Sequence, residues 1–266
     1  MGDEKQQSSD SMSFWSHLDA LRVVLVRIAI VIAMFAIVLF IAMPWLFDNV
    51  ILAPCNGSFP LYKLFGFISG ENSLLPDMSS AGFHVDLINI KLASQFFIHM
   101  STSCWLAVIL SFPIIIYIMW GFVSPALYEH EKRGIKRAFV FGNVMFYLGV
   151  TIGYFLVFPL TLRFLADYQL SESIPNTISI DSYMDNFLVI VLMMGTVFEL
   201  PLLAWLLGKM GFLTRGFFSK YRRHAIVALL IVAALITPTG DPFTLFVVFM
   251  PIYGLWEFSS RLVKAS

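Results

Sequence analysis

Charged side chains are scarce in this chain. Only 13% of its 266 residues are Asp, Glu, Lys or Arg, whereas 59% are hydrophobic. A typical globular domain contains roughly 25% charged residues, so this composition excludes an ordinary water-soluble domain and predicts a protein of the lipid bilayer. The 17 basic and 17 acidic residues balance, so no overall positive charge indicates nucleic acid as a partner.

Cysteine and recognisable catalytic motifs are scarce as well. Cys55 and Cys104, the 2 cysteines, lack the spacing of a CxxC or zinc motif, and we expect both to be unreactive thiols without a disulfide. The 5 histidines are scattered along the chain, and no phosphate-binding loop, nucleophile elbow or HExxH sequence occurs. These absences give no support to ATP hydrolysis or zinc proteolysis, and we expect the chain not to be an enzyme and not to hold a metal.

Long apolar runs dominate what the sequence does contain. A membrane span needs roughly 20 apolar residues, and four runs reach that length: residues 23–43, 96–122, 138–162 and 186–208. Two shorter runs follow at residues 225–236 and 243–256, where either the bilayer is locally thinned or the pair forms a re-entrant hairpin. The turn between them contains Asp241, which we expect to be a turn or helix-cap residue. The predicted fold class is all-α, a polytopic integral membrane protein with six transmembrane helices, the last two short.

The N-terminal segment and the helix breakers refine this scheme. Residues 1–22 are expected to form a cytoplasmic tail that is disordered at first and then, from residue 13, an amphipathic helix at the membrane surface. Pro44 is expected to end the first span and Pro113 to bend the second. Gly142, Gly149 and Gly153 are predicted points of close helix approach or flexing in the third span. The expected domains are residues 1–22, a six-helix membrane domain at 23–258, and a cytoplasmic C-terminus at 259–266.

The positions of the basic residues predict the topology. All but three of the 17 Lys and Arg residues lie in the N-terminal segment and the start of the first span, in the hinge between the second and third spans (residues 121–137), in a basic loop at residues 209–223, or at the C-terminal end. The exceptions, in the loops at 44–94 and 163–185, are Lys63, Lys91 and Arg163. Arg27, one turn into the first span, is expected to extend back to the membrane interface. Cytoplasmic loops carry an excess of Lys and Arg, so both termini and the hinge are predicted to be cytoplasmic.

The hinge concentrates charge between two apolar spans. Residues 128–133 read Tyr-Glu-His-Glu-Lys-Arg and so contain two carboxylates and two cations. Charge at this density is either a topology marker or a docking site, and we expect the hinge to be both. The alternative is a solvated loop whose acids pair with Lys132 and Arg133.

Glu199 is a lone acid near the middle of the fourth span. An acid near the bilayer centre costs roughly 2.5–3.5 kcal/mol, so its side chain must face the protein interior or water. Pro201 cannot donate to the carbonyl of Val197, so a kink is expected beside the acid. Four interpretations follow: a polar docking point for a partner helix, a site where the membrane is locally disturbed, the proton carrier of a small-solute transporter, or an internally hydrogen-bonded structural acid.

Six motifs, in this order, resemble the TatC family, the polytopic subunit of the twin-arginine protein translocase. They are HLDALR at 17–22, APC at 53–55, FVSPALYEHEKR at 122–133, GYFLVFPL at 153–160, FELP at 198–201 and TPTGDPF at 237–243. The resemblance implies six helices in a cupped, glove-like arrangement in the bacterial cytoplasmic membrane, with cytoplasmic termini and no cofactor. It also implies a receptor for twin-arginine signal peptides, in a system that exports folded proteins using the proton-motive force.

The resemblance assigns roles to individual residues. Glu131 matches an acid that takes part in signal recognition, and the neighbouring motif positions are Phe122, Pro125, Leu127, Tyr128 and Arg133. The family pattern HLEELR has two acids where this chain has Asp19 and Ala20. Carboxylates accept the planar forks of arginine bidentately, so Glu131 with Asp19 or Glu129 is the candidate receptor for an arginine pair.

Two further positions and the partners follow from the same resemblance. Pro54 matches the proline of the first external loop, with an expected structural role, and Glu199 matches the acid of the fourth span. The implied partners are twin-arginine signal peptides, single-span TatA- and TatB-type subunits, the lipid bilayer and further copies of this chain, with no nucleic acid. The alternative function is a proton-coupled small-solute transporter that uses Glu199, which would require a second acid in a repeat-related span.

Overall fold

The computed structural model describes residues 3–68, 83–123, 129–169, 171, 176–209, 211–237 and 241–263, without the side chains of 3–17, 65–68, 123 and 129–136. These residues form ten α-helices: α1 (Asp3–Leu46), α2 (Pro60–Ile68), α3 (Ser94–Val123), α4 (Glu129–Ile152), α5 (Phe158–Asp167), α6 (Ile180–Val197), α7 (Leu200–Lys209), α8 (Arg215–Lys220), α9 (Arg222–Ile236) and α10 (Pro242–Leu262). Two π-helices (Phe47–Ile51 and Gly153–Val157), a 3₁₀-helix (Ala53–Cys55) and two parallel strands, β1 (Leu87–Ile88) and β2 (Ile178–Ser179), complete the described structure.

Long, apolar helices make up most of the described structure, as the sequence predicts. Five segments are long and apolar enough to cross a membrane: Leu18–Cys55, Ser94–Phe122, Arg137–Asp167, Ile180–Lys209 and Pro242–Leu262. The all-α, polytopic class is therefore confirmed. The 15-residue α9 spans about 22 Å at 1.5 Å per residue, so a sixth crossing stays a prediction. The expectation that both final spans are short is wrong for α10, which has 21 residues.

Two expectations for the N-terminal region are wrong. Helix α1 begins at Asp3, within the tail expected to be disordered, and it continues past Pro44 as one helix. Extending an existing helix avoids the cost of nucleation, so a polar tail can join the apolar span that follows it. A proline removes one backbone donor, which a membrane helix tolerates when local adjustments satisfy the freed group. The π-helix Phe47–Ile51, which directly follows α1, is such a local adjustment of the backbone.

Three predicted loops are partly helical. Helix α4 begins at Glu129, inside the hinge, and α8 lies inside the predicted basic loop. Helix α6 begins at Ile180 because Ser179 caps it, its side chain accepting a hydrogen bond from the Ser182 N–H at 3.3 Å. Helix α5 carries the preceding span on to Asp167. The spans are therefore longer than their apolar runs, since polar caps extend the helices beyond the hydrophobic residues.

The chain divides into two compact units. The first comprises Met1–Ile41 and Thr102–Asn143, and the second comprises Ala42–Ser101 and Val144–Ser266. Within the first unit, α3 and α4 are in contact through Trp120 and Phe139, whose rings meet edge to face with centroids 5.3 Å apart.

The second unit is built around a close crossing of α4 and α6. A Cβ atom at Gly149 would lie 2.5 Å from the backbone oxygen of Met194, and one at Gly153 would lie 3.1 Å from the Met194 Cβ. On the facing helix, a Cβ at Gly195 would lie 2.9 Å from the Phe146 ring. Small residues allow membrane helices to approach this closely. The predicted roles of Gly149 and Gly153 are confirmed.

Tyrosine hydroxyls bind the irregular backbone that follows α1 in the second unit. This cap segment, residues 47–55, contains the first π-helix and the 3₁₀-helix. Tyr62 and Tyr183 are almost fully buried, and burial raises the pKa of the Tyr62 phenol, which therefore stays a donor at neutral pH. The donor–acceptor pairs are Tyr154 Oη to Val50 O (2.7 Å), Tyr62 Oη to Pro54 O (3.0 Å) and Tyr183 Oη to Ile51 O.

A buried arginine adjoins this cap segment. The guanidinium carbon of Arg163 lies 4.2 Å from the centre of the Phe83 ring, and Nε donates to the Asp167 carboxylate at 2.6 Å. Arg163 is 9% exposed, although the sequence places it at the start of a polar loop. The aromatic ring and the carboxylate offset the cost of burying the cation.

The last two long helices are held together by a polar cluster. Arg222 at the start of α9 donates to Tyr253 Oη at 2.9 Å and pairs with the Glu257 carboxylate at 2.8 Å on α10. The predicted cap role of Asp241 is confirmed, since its carboxylate accepts from the Thr244 N–H at 2.7 Å at the start of α10.

Gly149→Ala should destabilise the protein by about 1–3 kcal/mol, because the new methyl group would overlap a backbone oxygen that cannot move easily. Thermal unfolding of the purified chain in detergent measures the effect. Gly121→Ala is the matched control, since a Cβ atom there meets nothing within 4 Å. Equal stability of the two variants would show that the crossing is looser than described.

Tyr62→Phe should cost about 1–3 kcal/mol of stability, because the buried Pro54 carbonyl loses its donor. The same unfolding assay applies. Tyr168→Phe serves as the control, because Tyr168 is 64% exposed. A Tyr62→Phe variant as stable as this control would contradict a structural role for the hydroxyl.

Candidate functional site

A cavity of about 920 Å³ lies within the first unit. Its walls come from residues 20–27 of α1, 113–122 of α3 and 139–143 of α4. The lining is mostly apolar and aromatic, and Trp120 and Phe139 form part of it through their edge-to-face contact. We call this cavity the three-helix pocket.

The three-helix pocket brings two distant sequence motifs together. Ala20 from the HLDALR motif and Phe122 from the FVSPALYEHEKR motif both line it. Asp19, the neighbour of Ala20, is exposed. Of the predicted recognition residues, Phe122 lines this cavity, together with Ala20 from the other motif.

The remaining predicted recognition residues are placed only in part. Pro125, Leu127 and Tyr128 lie outside the described residues. Glu131 and Arg133 lie near the beginning of α4, in the stretch whose backbone alone is described. A carboxylate in the first turn of a helix is favoured by the helix dipole. Whether these side chains face the three-helix pocket stays a prediction.

One charged side chain lines the pocket among the residues that the structure describes. Arg27, predicted to extend towards the membrane interface, is exposed on α1 and forms part of the lining. At position 20, where the family pattern has an acid, this chain has Ala20. Sequence reasoning did not place Arg27 at this cavity, because its local sequence does not indicate which residues of α3 and α4 lie beside it.

Glu199 lies in a break between two helices. Helix α6 ends at Val197 and α7 begins at Leu200, so the predicted kink beside the acid is confirmed as an interruption. The backbone stays bonded across it, since the Glu199 N–H donates to Thr196 O at 3.1 Å and the Leu203 N–H donates to Glu199 O at 3.0 Å. The break is therefore a turn with its backbone groups satisfied, next to Pro201.

The Glu199 carboxylate is only half-exposed and lacks internal support. Its Oε1 atom is buried without a hydrogen-bond partner among the described residues. The neighbouring Phe198 packs at the glycine crossing, where a Cβ on Gly149 would lie 2.7 Å from the Phe198 Cβ. An internally hydrogen-bonded structural acid would show partners for both oxygens, so this interpretation of Glu199 gains no support.

The other predicted positions have simpler surroundings. Pro54 is buried in the 3₁₀-helix, and its carbonyl accepts the Tyr62 hydroxyl. Across the part of the chain that the structure describes, no group of three His, Cys, Asp or Glu side chains is placed to hold a metal ion.

Comparisons with known proteins identify relatives along most of the chain. The sequence model of the family described as Sec-independent protein translocase protein (TatC) matches residues 16–251. A protein of that name from Blattabacterium sp. subsp. Periplaneta americana is 30% identical over 256 residues, which is 96% of each chain. Another, from Escherichia coli K12, is 34% identical over 171 residues, covering 64% of this chain and 66% of its own.

A solved structure has the same fold. A crystal structure described as the twin-arginine translocase receptor TatC matches with a TM-score of 0.70 and 28% sequence identity. The match covers 92% of this chain and 97% of the solved one. The similarity therefore includes both compact units rather than a single helical hairpin.

Proposed function

Because this chain belongs to the TatC family of Sec-independent protein translocase proteins, we propose that it is the receptor subunit that binds twin-arginine signal peptides of folded cargo. Family membership makes it a multi-pass membrane subunit of a translocase complex, and not an enzyme. The alternative of a proton-coupled small-solute transporter is not favoured, since the family match covers residues 16–251.

The observation that carries the receptor proposal is the meeting of two motif segments at the three-helix pocket. Ala20 and Phe122 line this one cavity, and Asp19 is exposed beside it. An extended peptide that crosses the rim of the pocket would contact both segments. The apolar walls suit the hydrophobic part of a signal peptide, while the charged rim suits its arginines.

Carboxylates at the rim supply the arginine specificity. The guanidinium group donates two parallel hydrogen bonds to a carboxylate, which lysine cannot reproduce. Glu131 is the principal acid and Asp19 the second, because Ala20 cannot serve. Phe122, Pro125, Leu127, Tyr128 and Arg133 are the further residues proposed to take part in signal recognition.

The membrane arrangement proposed with this function follows the basic residues. The loops rich in Lys and Arg face the cytoplasm, and both termini lie on that side of the bacterial cytoplasmic membrane. Helix α9 then makes the sixth crossing, despite its 15 residues, where the bilayer is thinned.

Glu199 is the proposed contact for single-span TatA- or TatB-type subunits. A helix break with a half-exposed acid offers hydrogen-bonding groups that a partner helix can satisfy within the membrane. Receptor complexes would contain several copies of this chain with such subunits. Transport energy would come from the proton-motive force, since the sequence has no nucleotide-binding motif.

Glu131→Gln should weaken the binding of a twin-arginine signal peptide by about ten- to a hundredfold, because a charge-assisted hydrogen bond contributes about 1.5–3 kcal/mol. Binding of a fluorescent peptide to the full chain in nanodiscs measures the effect. Glu129→Gln, which removes the same charge two residues away, should change the affinity little.

A twin-lysine peptide and a gain-of-function variant complete this test. The lysine peptide should bind weakly to the native chain and lose little with Glu131→Gln. Ala20→Glu should tighten binding of the arginine peptide, since it adds a carboxylate to the pocket wall. If Glu131→Gln binds the arginine peptide as the native chain does, Glu131 is not the receptor acid.

Glu199→Leu should abolish co-purification of a single-span partner subunit, whereas Glu199→Gln should retain much of it, because glutamine keeps the hydrogen-bonding groups without the charge. Both variants should unfold at or above the native temperature, since a partly buried acid without an internal partner is costly. Undiminished co-purification with Glu199→Leu would place the partner contact elsewhere.

A further inference from the structure

Arg27 puts a positive charge on the wall of an otherwise apolar pocket. It lies within the candidate span Leu18–Cys55, and it lines the three-helix pocket beside Val24. Its neighbours along α1 are apolar and exposed, with Val23 at 48%, Val26 at 51% and Ile30 at 60%. Such a surface faces lipid, so the cation stands where the pocket opens towards the bilayer.

No internal acid neutralises this cation in the described structure. The ion pairs found there involve His84, Lys91, Arg163 and Arg222, and none involves Arg27. A cation near the end of a membrane span extends towards the headgroups or pairs with an anion. Because no described acid pairs with Arg27, a lipid anion can do so.

Aromatic side chains indicate the depth of the pocket in the bilayer. Tyr117, which is 75% exposed, and Trp120 line the same cavity on α3. Tyr and Trp are enriched at the level of the lipid headgroups, where their polar atoms meet water and their rings meet acyl chains. Lipid phosphates lie at this level, within reach of a long arginine side chain.

We propose that the three-helix pocket binds an anionic phospholipid. The guanidinium group of Arg27 holds the phosphate, for which its planar fork is suited, and an acyl chain lies against Ile116 and Phe139. The volume of about 920 Å³ is within the range of roughly 300–1,000 Å³ for ligand pockets. Basic pockets between membrane helices are established binding places for anionic headgroups.

Electrostatics distinguish this ligand from a signal peptide. A twin-arginine peptide carries charge of the same sign as Arg27, so the interior of the pocket repels its arginines while attracting a phosphate. Peptide arginines would be held at the rim, where Asp19 is exposed. The charge of Arg27 thus selects a phosphate over an arginine, and lipid binding can be tested without a peptide.

The test compares two lipids of identical acyl chains on the delipidated full chain in detergent. Native mass spectrometry measures the affinity for phosphatidylglycerol and for phosphatidylcholine. Phosphatidylglycerol should bind more tightly, and Arg27→Gln should lower its affinity about fivefold, the equivalent of about 1 kcal/mol per interfacial cation. Arg22→Gln is the matched control, since Arg22 and Arg27 are both exposed on α1 but only Arg27 lines the pocket.

A second variant tests the position independently of charge. Gly121 lines the pocket, and a Cβ atom there meets nothing within 4 Å. Gly121→Leu should therefore fill the cavity without disturbing the helix, and it should lower lipid binding while Arg27 stays in place. Equal affinity for the two lipids, unchanged binding by Arg27→Gln, or unchanged binding by Gly121→Leu would each overturn the proposal.

Discussion

Hydrogen bonds from buried tyrosine hydroxyls to backbone carbonyls hold the second unit in its arrangement. The cap segment, residues 47–55, leaves regular helix geometry, and buried carbonyls without partners cost free energy comparable to a lost hydrogen bond. Tyr62, Tyr154 and Tyr183 supply these partners from α2, the second π-helix and α6. Each bond satisfies one polar group and joins two elements far apart in sequence, so the segment after α1 and three later elements depend on one another.

The glycine crossing places the intramembrane acid. Gly149 and Gly195 bring α4 and α6 close together, and Phe198 fills the space beside Gly149. Helix α6 ends immediately before Phe198, so tight packing on one side is followed by a turn that carries Glu199. A continuous α-helix through this region would carry the side chain on a regular helical face. The break instead sets the acid between two helix ends, where partner groups can reach it.

The first unit combines two kinds of recognition chemistry at one cavity. Apolar and aromatic walls suit acyl chains or hydrophobic peptide, while Arg27 is the charged residue in the described lining and Asp19 is exposed beside Ala20. Charges of opposite sign at different positions can hold ligands of opposite sign without competition for the same atoms. In the proposed receptor, the rim would select arginines and the interior would select lipid phosphate.

Local sequence patterns determined four features of this protein. Hydropathy predicted the membrane class and most of the spans, proline predicted the interruption beside Glu199, and the turn sequence predicted the cap at Asp241. Each of these features depends on neighbours within a few residues. The order of six short motifs also sufficed to predict the family. Only the tertiary structure decided that tyrosines bind the cap segment and that Arg27 shares a cavity with Phe122. These features depend on contacts between residues distant in sequence, and local patterns carry no information about which distant groups will satisfy a carbonyl or lie beside a charge.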